Sequence, residues 1–231
     1  MKDRDSKAYF YDSIADEFDA VSNRYDTERR LEIVFDELLA HENLAGCAVL
    51  DVGCGTGWFS QRAARRGARV TSLDIGTRLL ARVRDKCESR LVAADACALP
   101  FRASSFDVVI SSECIEHTLD PALAFREIHR VTRPGGLLVV TVPNHIWHFA
   151  VTFAAAFKLR PFEGYEHWLR WREVRALVRE TGASLQAMRG FHLVPPLFSA
   201  MQPVLRRADA WGYHLGRLML NIAVLARKAR T

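Results

Sequence analysis

The sequence predicts an α/β fold built on a parallel sheet. Apolar, β-prone runs alternate with stretches of helical periodicity along most of the chain, which is the pattern of βαβ units. A glycine-rich turn follows the first of these runs, where such folds bind ligands. With 231 residues and 49% hydrophobic content, the chain is long enough to bury one full core. We therefore expect a single domain.

Five strands and the helices between them can be placed from these runs. The strands are expected at residues 48–52, 69–74, 91–94, 107–111 and 137–142. The connecting helices are expected at residues 58–66, 77–86 and 121–131. Pro121 suits the first turn of the last helix, and the Pro134-Gly135-Gly136 turn should end that helix before the fifth strand.

Further segments are predicted on either side of this core. Residues 9–20 and 27–41 have helical periodicity. After the fifth strand we expect, in order, an apolar aromatic segment, a helix, a strand, a proline-interrupted stretch and a last strand, at residues 146–157, 170–181, 184–189, 191–217 and 218–226. No apolar run is long enough to span a bilayer.

The turn after the first strand has the spacing of a nucleoside-binding site. Asp51 lies near the end of the strand, and Gly53, Gly55 and Gly57 follow it. Because glycine lacks a Cβ atom, the backbone can turn sharply there and approach a ligand, with its N–H groups facing that ligand. Dinucleotide-binding turns space their last two glycines three apart, whereas these are two apart. The spacing therefore argues against a nucleotide-dependent dehydrogenase.

Polar side chains stand at the ends of the next three strands, where open α/β sheets bind ligands. Asp74 ends the second strand, where a carboxylate can accept hydrogen bonds from two ribose hydroxyls or, alternatively, cap the next helix. Asp95 and Ala96 follow the third strand, a setting that suits an adenine ring and its amino group. Ser111 ends the fourth.

Four segments of the chain resemble the class I S-adenosylmethionine-dependent methyltransferases: VLDVGCGTGWFS, TSLDIG, AADACALPF and FDVVISSECIEHTLDPALAFREIHRVTRPGGLLVVTVPN. Over residues 9–190 the chain is similar to the branch that includes the ubiquinone-biosynthesis O-methyltransferases. The resemblance implies a Rossmann-like sheet of seven strands, mostly parallel with an antiparallel last strand, with helices on both faces and a helical lid. We accordingly divide the domain into an N-terminal helical lid (1–41), a cofactor-binding core (42–144), an acceptor lid with C-terminal helices (145–217) and a last strand with a tail (218–231).

The same resemblance implies S-adenosyl-L-methionine as the cofactor. It places Asp51 and the glycine turn at the methionine end of the cofactor, Asp74 on the ribose and Asp95 near the adenine. The expected cofactor-binding residues are Tyr11, Asp51, Gly53, Cys54, Gly55, Thr56, Gly57, Trp58, Asp74, Ile75, Asp95, Ala96 and Ser111.

Glu113, Glu116 and His117 are the candidate catalytic residues. On one helical turn, this spacing would place both carboxylates on the same face with the imidazole beside them. Three roles stay open: ligands for Mg²⁺ or Zn²⁺, a metal-free site in which His117 is the general base, or a structural role. The segment is similar to the metal-binding stretch of the ubiquinone O-methyltransferases and of the small-RNA 2′-O-methyltransferases. Both groups also have a later histidine in a context like that of His167, and the resemblance makes His167 a further candidate ligand.

We expect the acceptor to be a small molecule methylated at oxygen, such as an aryl, quinol or lipid-like compound. Aromatic residues between positions 147 and 198 could wall such an acceptor or pack the core of the lid. RNA 2′-O-methylation is the alternative, although no separate RNA-binding module is evident. A silent cofactor binder is disfavoured by the intact Asp51, Asp74 and Asp95, and no DNA partner is expected.

Charge and cysteine content bear on partners and location. Residues 155–231 hold 13 Lys and Arg against 5 Asp and Glu, which makes this part a surface for phosphates or an anionic membrane, or simply a solvated basic face. The five cysteines form no C-x-x-C pair and are expected to be reduced thiols. With a charged N-terminus, these features predict a cytoplasmic protein; peripheral membrane contact stays open at Arg206, Arg207 and Trp211. The sequence does not indicate the oligomeric state.

Overall fold

A seven-stranded sheet organises the computed structural model, which describes residues 11–149, 166–193 and 202–230. Its strands are, in chain order, β1 (Ala48–Val52), β2 (Arg69–Asp74), β3 (Arg90–Ala93), β4 (Phe106–Ser112), β5 (Thr132–Pro143), β6 (Ser184–Phe191) and β7 (Asn221–Arg227). The predicted bounds of β1 and β2 are confirmed. β5 begins five residues earlier than predicted, because the Pro-Gly-Gly tract lies within the strand, where the Gly135 N–H donates to the carbonyl of Lys228.

The strand order is β3-β2-β1-β4-β5-β7-β6. β7 runs antiparallel to both of its neighbours, and the pairs among β1 to β5 are parallel. This confirms the expected sheet. β2 and β3 lie on one side of β1 in the sheet, whereas β4 and β5 lie on the other side. The strand order therefore reverses between β1 and β4, where Val52 lies beside Ser111. The carboxyl ends of these two strands are therefore free to meet a ligand.

The helices are α1 (Phe18–Val21), α2 (Arg24–Leu31), α3 (Trp58–Arg65), α4 (Thr77–Val83), α5 (Pro121–Val131), α6 (Trp171–Glu180), α7 (Gln202–Ala208) and α8 (Gly212–Leu215). A π-helical segment, Glu32–Leu38, continues α2. Pro121 occupies the first position of α5 as predicted, and the Asp120 carboxylate caps that helix by accepting from the N–H of Leu123 at 2.9 Å. The continuous helix predicted over residues 9–20 is wrong, because residues 14–17 form a turn.

Helices cover both faces of the sheet. Side chains alternate along β1, so that Leu50 and Val52 face one side while Val49 faces the other. The first side packs against α5 and α6, and the second packs against the π-helical segment and α3. Asp51 shares the second side with Val49, which directs its carboxyl group under α3.

A buried network of ion pairs ties α2 to the C-terminal part of the chain. The guanidinium of Arg29 contacts the fully buried Asp209 at 2.7 Å and Glu37 at 3.1 Å. Arg189 contacts Glu37 as well, and the second oxygen of Asp209 accepts from the N–H of His192 at 2.6 Å. These contacts fix α2 and the π-helical segment against β6.

All five cysteines are free thiols; Cys54 is buried and the other four are half-buried. Among the described helices, none is long and apolar enough to cross a membrane. Residues 150–165 and 194–201, which carry much of the predicted acceptor lid, lie outside the described residues, as do residues 1–10.

Candidate active site

The turn after β1 has the backbone conformation that its glycines permit. φ is positive at each of Gly53, Gly55 and Gly57. A Cβ atom at Gly53 would lie 2.3 Å from the sulfur of Cys114, so this position needs glycine in order to pack against the loop after β4. A Cβ atom at Gly55 would meet only a ring carbon of Phe18 among the described residues, at 3.8 Å. Gly55 therefore keeps one side of the turn open to a ligand.

Asp74 lies at the carboxyl end of β2 and faces this turn. Its two carboxylate oxygens accept hydrogen bonds from the N–H groups of Gly55 and Gly76, each at 2.9 Å. Burial raises the pKa of Asp74 above its usual range. Each oxygen can accept a further hydrogen bond, so the oriented carboxylate could hold two ribose hydroxyls. The neighbouring Ile75 is 38% exposed and offers an apolar surface for a ring.

The role of helix cap, which the sequence left open for Asp74, belongs mainly to Asp12. The Asp12 carboxylate accepts from the N–H groups of Arg78 and Leu79, at 2.7 and 3.2 Å, in the first turn of α4. Capping from a distant segment satisfies donors that the helix itself cannot satisfy. The contact holds the N-terminal segment beside the carboxyl end of β2.

Asp19 is a second anchor of the N-terminal segment. Its carboxylate accepts from the hydroxyl of Thr56, from the indole N–H of Trp58 at 3.0 Å and from the ammonium of Lys86 at 2.7 Å. The rings of Tyr11 and Phe18 contact each other edge to face nearby, with centroids 5.4 Å apart. Residues 11–21 therefore lie over the glycine turn and could close on a bound nucleoside.

Neither Asp12 nor Asp19 was among the predicted site residues. A signal was present, because Asp12, Asp16 and Asp19 are separated by about one helical turn and so are the basic residues Arg78, Arg82 and Lys86. In the structure these two rows face each other, with Asp16 pairing with Arg78 and Arg82. Matching rows of opposite charge would have indicated the contact.

The residues expected at the adenine lie at the same edge of the sheet. Asp95 follows β3, and its carboxylate accepts from the N–H of Cys97 at 2.8 Å. Ala96 beside it is 6% exposed. Trp58, which directly follows the glycine turn, is 39% exposed and lies under the Lys86 ammonium. The exposed Trp58 and Ile75 leave apolar surface available at an otherwise polar site.

Asp51 is buried beneath the turn. It is 2% exposed, and its carboxyl group accepts from the hydroxyl of Ser60 at 2.7 Å. Ser60 in turn contacts the hydroxyl of Ser72 at 2.6 Å. Burial raises the pKa of Asp51 to about 7, so that this group is half protonated near neutral pH when no ligand is bound.

This raised pKa predicts that stability depends on pH through Asp51. The folded protein holds the proton more tightly than the unfolded chain, so the contribution is complete below about pH 4 and is lost as the pH rises to about 7. Between about pH 5.5 and about pH 7.5 we expect the free energy of unfolding to fall by about 2 kcal/mol through this group. Urea denaturation at several pH values measures the free energy of unfolding of the wild type and of Asp51→Asn. In the variant, the free energy of unfolding should lack this fall with rising pH. Parallel pH curves for the two proteins would contradict the assignment.

The prediction that Glu113 and Glu116 lie on one helical turn is wrong. Its φ of 52° places it in the left-handed region, and a 3₁₀ turn begins only at Ile115. Its carboxylate accepts from the Thr141 hydroxyl at 3.0 Å and from the Asn221 amide at 3.1 Å. Burial raises the pKa of Glu113. These contacts tie β4 to β5 and β7 directly at the site.

Glu116 and His117 follow Glu113 in the same loop after β4, residues 113–117, which we call the catalytic loop. Glu116 is 1% exposed, and one carboxylate oxygen lies 3.7 Å from Nε2 of His117. The rings of His117 and Tyr11 contact each other edge to face, with centroids 6.3 Å apart. The backbone N–H of His167 donates to the carbonyl of Glu116 at 2.8 Å. This arrangement can orient an imidazole between the N-terminal segment and the end of β4.

The described donors do not fit the metal site, one of the three roles that the sequence left open. In the described ranges, no three His, Cys, Asp or Glu side chains are grouped so that they could hold a metal ion. Glu113 is turned toward Thr141 and Asn221, and the backbone N–H of His167 donates to the carbonyl of Glu116.

Comparison with known proteins places the chain among methyltransferases. Residues 50–140 match the family model described as a methyltransferase domain. The chain is 35% identical over 165 residues to a ubiquinone biosynthesis O-methyltransferase of Pseudomonas aeruginosa, covering 66% of this chain and 71% of that protein. It is 37% identical over 127 residues to a malonyl-[acyl-carrier protein] O-methyltransferase of Erwinia pyrifoliae, covering 54% of this chain but only 48% of that longer protein.

Solved structures share the fold across nearly the whole chain. Magnesium protoporphyrin IX methyltransferase from Synechocystis PCC 6803 aligns with a TM-score of 0.68, covering 97% of this chain and 95% of its own, at 16% identity. At that identity the likeness concerns the fold.

Proposed function

The chain belongs to the class I S-adenosylmethionine-dependent methyltransferases, and we propose that it methylates an oxygen atom of a hydroxylated small molecule. Relatives that are 35% and 37% identical to it are named O-methyltransferases. The loop after β4 supplies the groups that oxygen methylation requires, because a hydroxyl must lose its proton to become a good nucleophile.

Bound S-adenosylmethionine supplies a methyl group that is already electrophilic. The chain then has to hold the acceptor oxygen in line with that group, and such positioning is worth an effective concentration of about 10⁵–10⁸ M. In the proposed site, Asp74 holds the ribose and the turn at Gly55 lies against the cofactor. The N-terminal segment, anchored by Asp12 and Asp19, covers the cofactor and excludes water.

His117 is proposed as the general base. The buried Glu116 carboxylate, 3.7 Å from Nε2, stabilises the positive charge that the ring gains when it takes the hydroxyl proton. Glu113 acts differently in this proposal: through Thr141 and Asn221 it holds the loop in position. The Glu116–His117 pair at the end of β4 is the observation that carries the proposal.

The atom that is methylated can be identified directly. The protein is incubated with S-adenosylmethionine carrying a ¹³C methyl group and with phenols, catechols, amines and thiols, and the carbon spectrum of each product is recorded. We expect the label in the chemical-shift range of O-methyl groups, from the phenols and catechols. Label only on nitrogen or sulfur would contradict the proposal.

We expect the reaction to survive chelation of divalent metals. The candidate donors Glu113, Glu116, His117 and His167 do not converge on one point among the described residues, and His117 can take the proton without a metal. The initial rate is measured before and after dialysis against EDTA, and again with added Mg²⁺ or Zn²⁺. Loss of activity with EDTA and its return with one of these ions would instead favour the metal-dependent alternative.

A further inference from the structure

A cavity of about 930 Å³ lies beside α6, away from the glycine turn. Five arginines line it: Arg170, Arg172, Arg175, Arg179 and Arg217. Three of these stand at positions 172, 175 and 179 of α6, a spacing that places them on one face of the helix. The volume is in the range of pockets for small ligands, about 300–1,000 Å³.

These arginines differ from most others in the protein. Within the described ranges, none of the five forms an ion pair, whereas Arg62 and Arg66, for example, both contact Asp36. On α6, the carboxylate of Glu173 accepts from the N–H of Arg170 and caps the helix. The cavity thus concentrates positive charge that nearby carboxylates do not neutralise.

Apolar surface lies between these charges. The indole of Trp171 lines the cavity and packs against Gly216, where a Cβ atom would lie 2.8 Å from the ring. Ile146 and Leu185, which are 42% and 37% exposed, line it too. A ligand that combines a polyanionic group with an apolar part would match both features.

A short stretch of chain connects this cavity to the catalytic loop. The N–H of His167 donates to the carbonyl of Glu116, and Leu169 pairs with Asn144 at the end of β5. Arg170, at the cavity, follows His167 by three residues, which extended backbone spans in about 10 Å. One elongated ligand could therefore reach both places.

We propose that the arginine-lined cavity binds the phosphate-bearing end of the methyl acceptor. Guanidinium groups bind phosphate through paired, charge-assisted hydrogen bonds, and several of them together suit a diphosphate or a lipid phosphate. The assignment to the acceptor rests on the proposed function, whereas binding of a phosphate group can be measured without methyl transfer. The two claims can therefore fail separately.

The test measures binding of inorganic pyrophosphate to the full chain by titration calorimetry. The test variant carries Arg172→Gln, Arg175→Gln and Arg179→Gln. The control variant carries Arg84→Gln, Arg90→Gln and Arg102→Gln, which removes the same charge from three exposed arginines away from the cavity. A second arm measures sedimentation with phosphatidylglycerol vesicles, with phosphatidylcholine vesicles as the neutral reference. S-adenosylmethionine affinity is measured for all three proteins.

We expect saturable binding by the wild type and the control, weakened at least about tenfold in the test variant, with S-adenosylmethionine affinity unchanged in all three. Binding of pyrophosphate would indicate a soluble phosphate ligand, and binding of the anionic vesicles alone would indicate a lipid headgroup. The proposal would be overturned if the wild type bound neither pyrophosphate nor the anionic vesicles. It would also be overturned if the test and control variants lost equal affinity for these probes. So would tight binding of single-stranded RNA that is lost in the test variant when neither phosphate probe binds.

Discussion

Replacing His117 with alanine is expected to lower the rate of methyl transfer by a factor of about 10²–10⁴, the usual contribution of a general base. The imidazole lies 3.7 Å from the buried Glu116 carboxylate, which stabilises the ring when it is protonated. The affinity for S-adenosylmethionine should stay unchanged, because the proposed cofactor contacts lie on Asp74 and the glycine turn. Initial rates and cofactor binding by calorimetry measure the two effects.

The pH profile separates this role from a structural one. If His117 takes the proton, the wild-type rate should rise with pH as the imidazole loses its proton. The residual rate of His117→Ala should lack this rise. The exposed His41, changed to alanine, serves as the control and should retain full activity. Wild-type rates in His117→Ala would remove the residue from the mechanism.

Replacing Asp74 with alanine is expected to weaken S-adenosylmethionine binding by at least about tenfold. Two hydrogen bonds from ribose hydroxyls to a carboxylate would be lost, each worth about 1.5–3 kcal/mol. The loss also frees the N–H groups of Gly55 and Gly76, so that the turn is less well held. Calorimetric titration of the cofactor into the variant measures the effect, with thermal denaturation to establish that the variant is folded.

Two further variants sharpen this result. Asp74→Asn keeps one acceptor oxygen and should bind with intermediate affinity. Asp85→Ala removes an exposed carboxylate near the end of α4 that contacts Arg82 at 3.5 Å, and it should bind like the wild type. Unchanged affinity in a folded Asp74→Ala protein would exclude Asp74 from the ribose site.

The core of the fold could be predicted from the sequence because its signals are local. The apolar runs of β1 and β2 and the Pro121 start of α5 depend on neighbouring residues, and their bounds agree with the structure. The antiparallel β7 came from the family resemblance, since alternation of apolar residues does not reveal strand direction. Its start was misplaced because Gly216–Leu218 form a 3₁₀ turn before it.

The site was harder to predict where it depends on contacts between distant segments. Asp12 caps a helix that begins 65 residues later, and no local pattern marks that role. Glu113 left the expected helical turn because its carboxylate is drawn to Thr141 and Asn221, on strands that follow it in the chain. The spacing of Glu113 and Glu116 indicated a helix, but the buried hydrogen bonds available at the end of β4 determined the conformation.

Following the methyl group shows whether the protein methylates a small hydroxylated acceptor. Labelled S-adenosylmethionine is added with the protein to an extract of the source cells, and the products are separated into small-molecule, lipid and RNA fractions. We expect label in the small-molecule or lipid fraction, as an O-methyl group, with the wild type and not with His117→Ala. Label confined to RNA would contradict it.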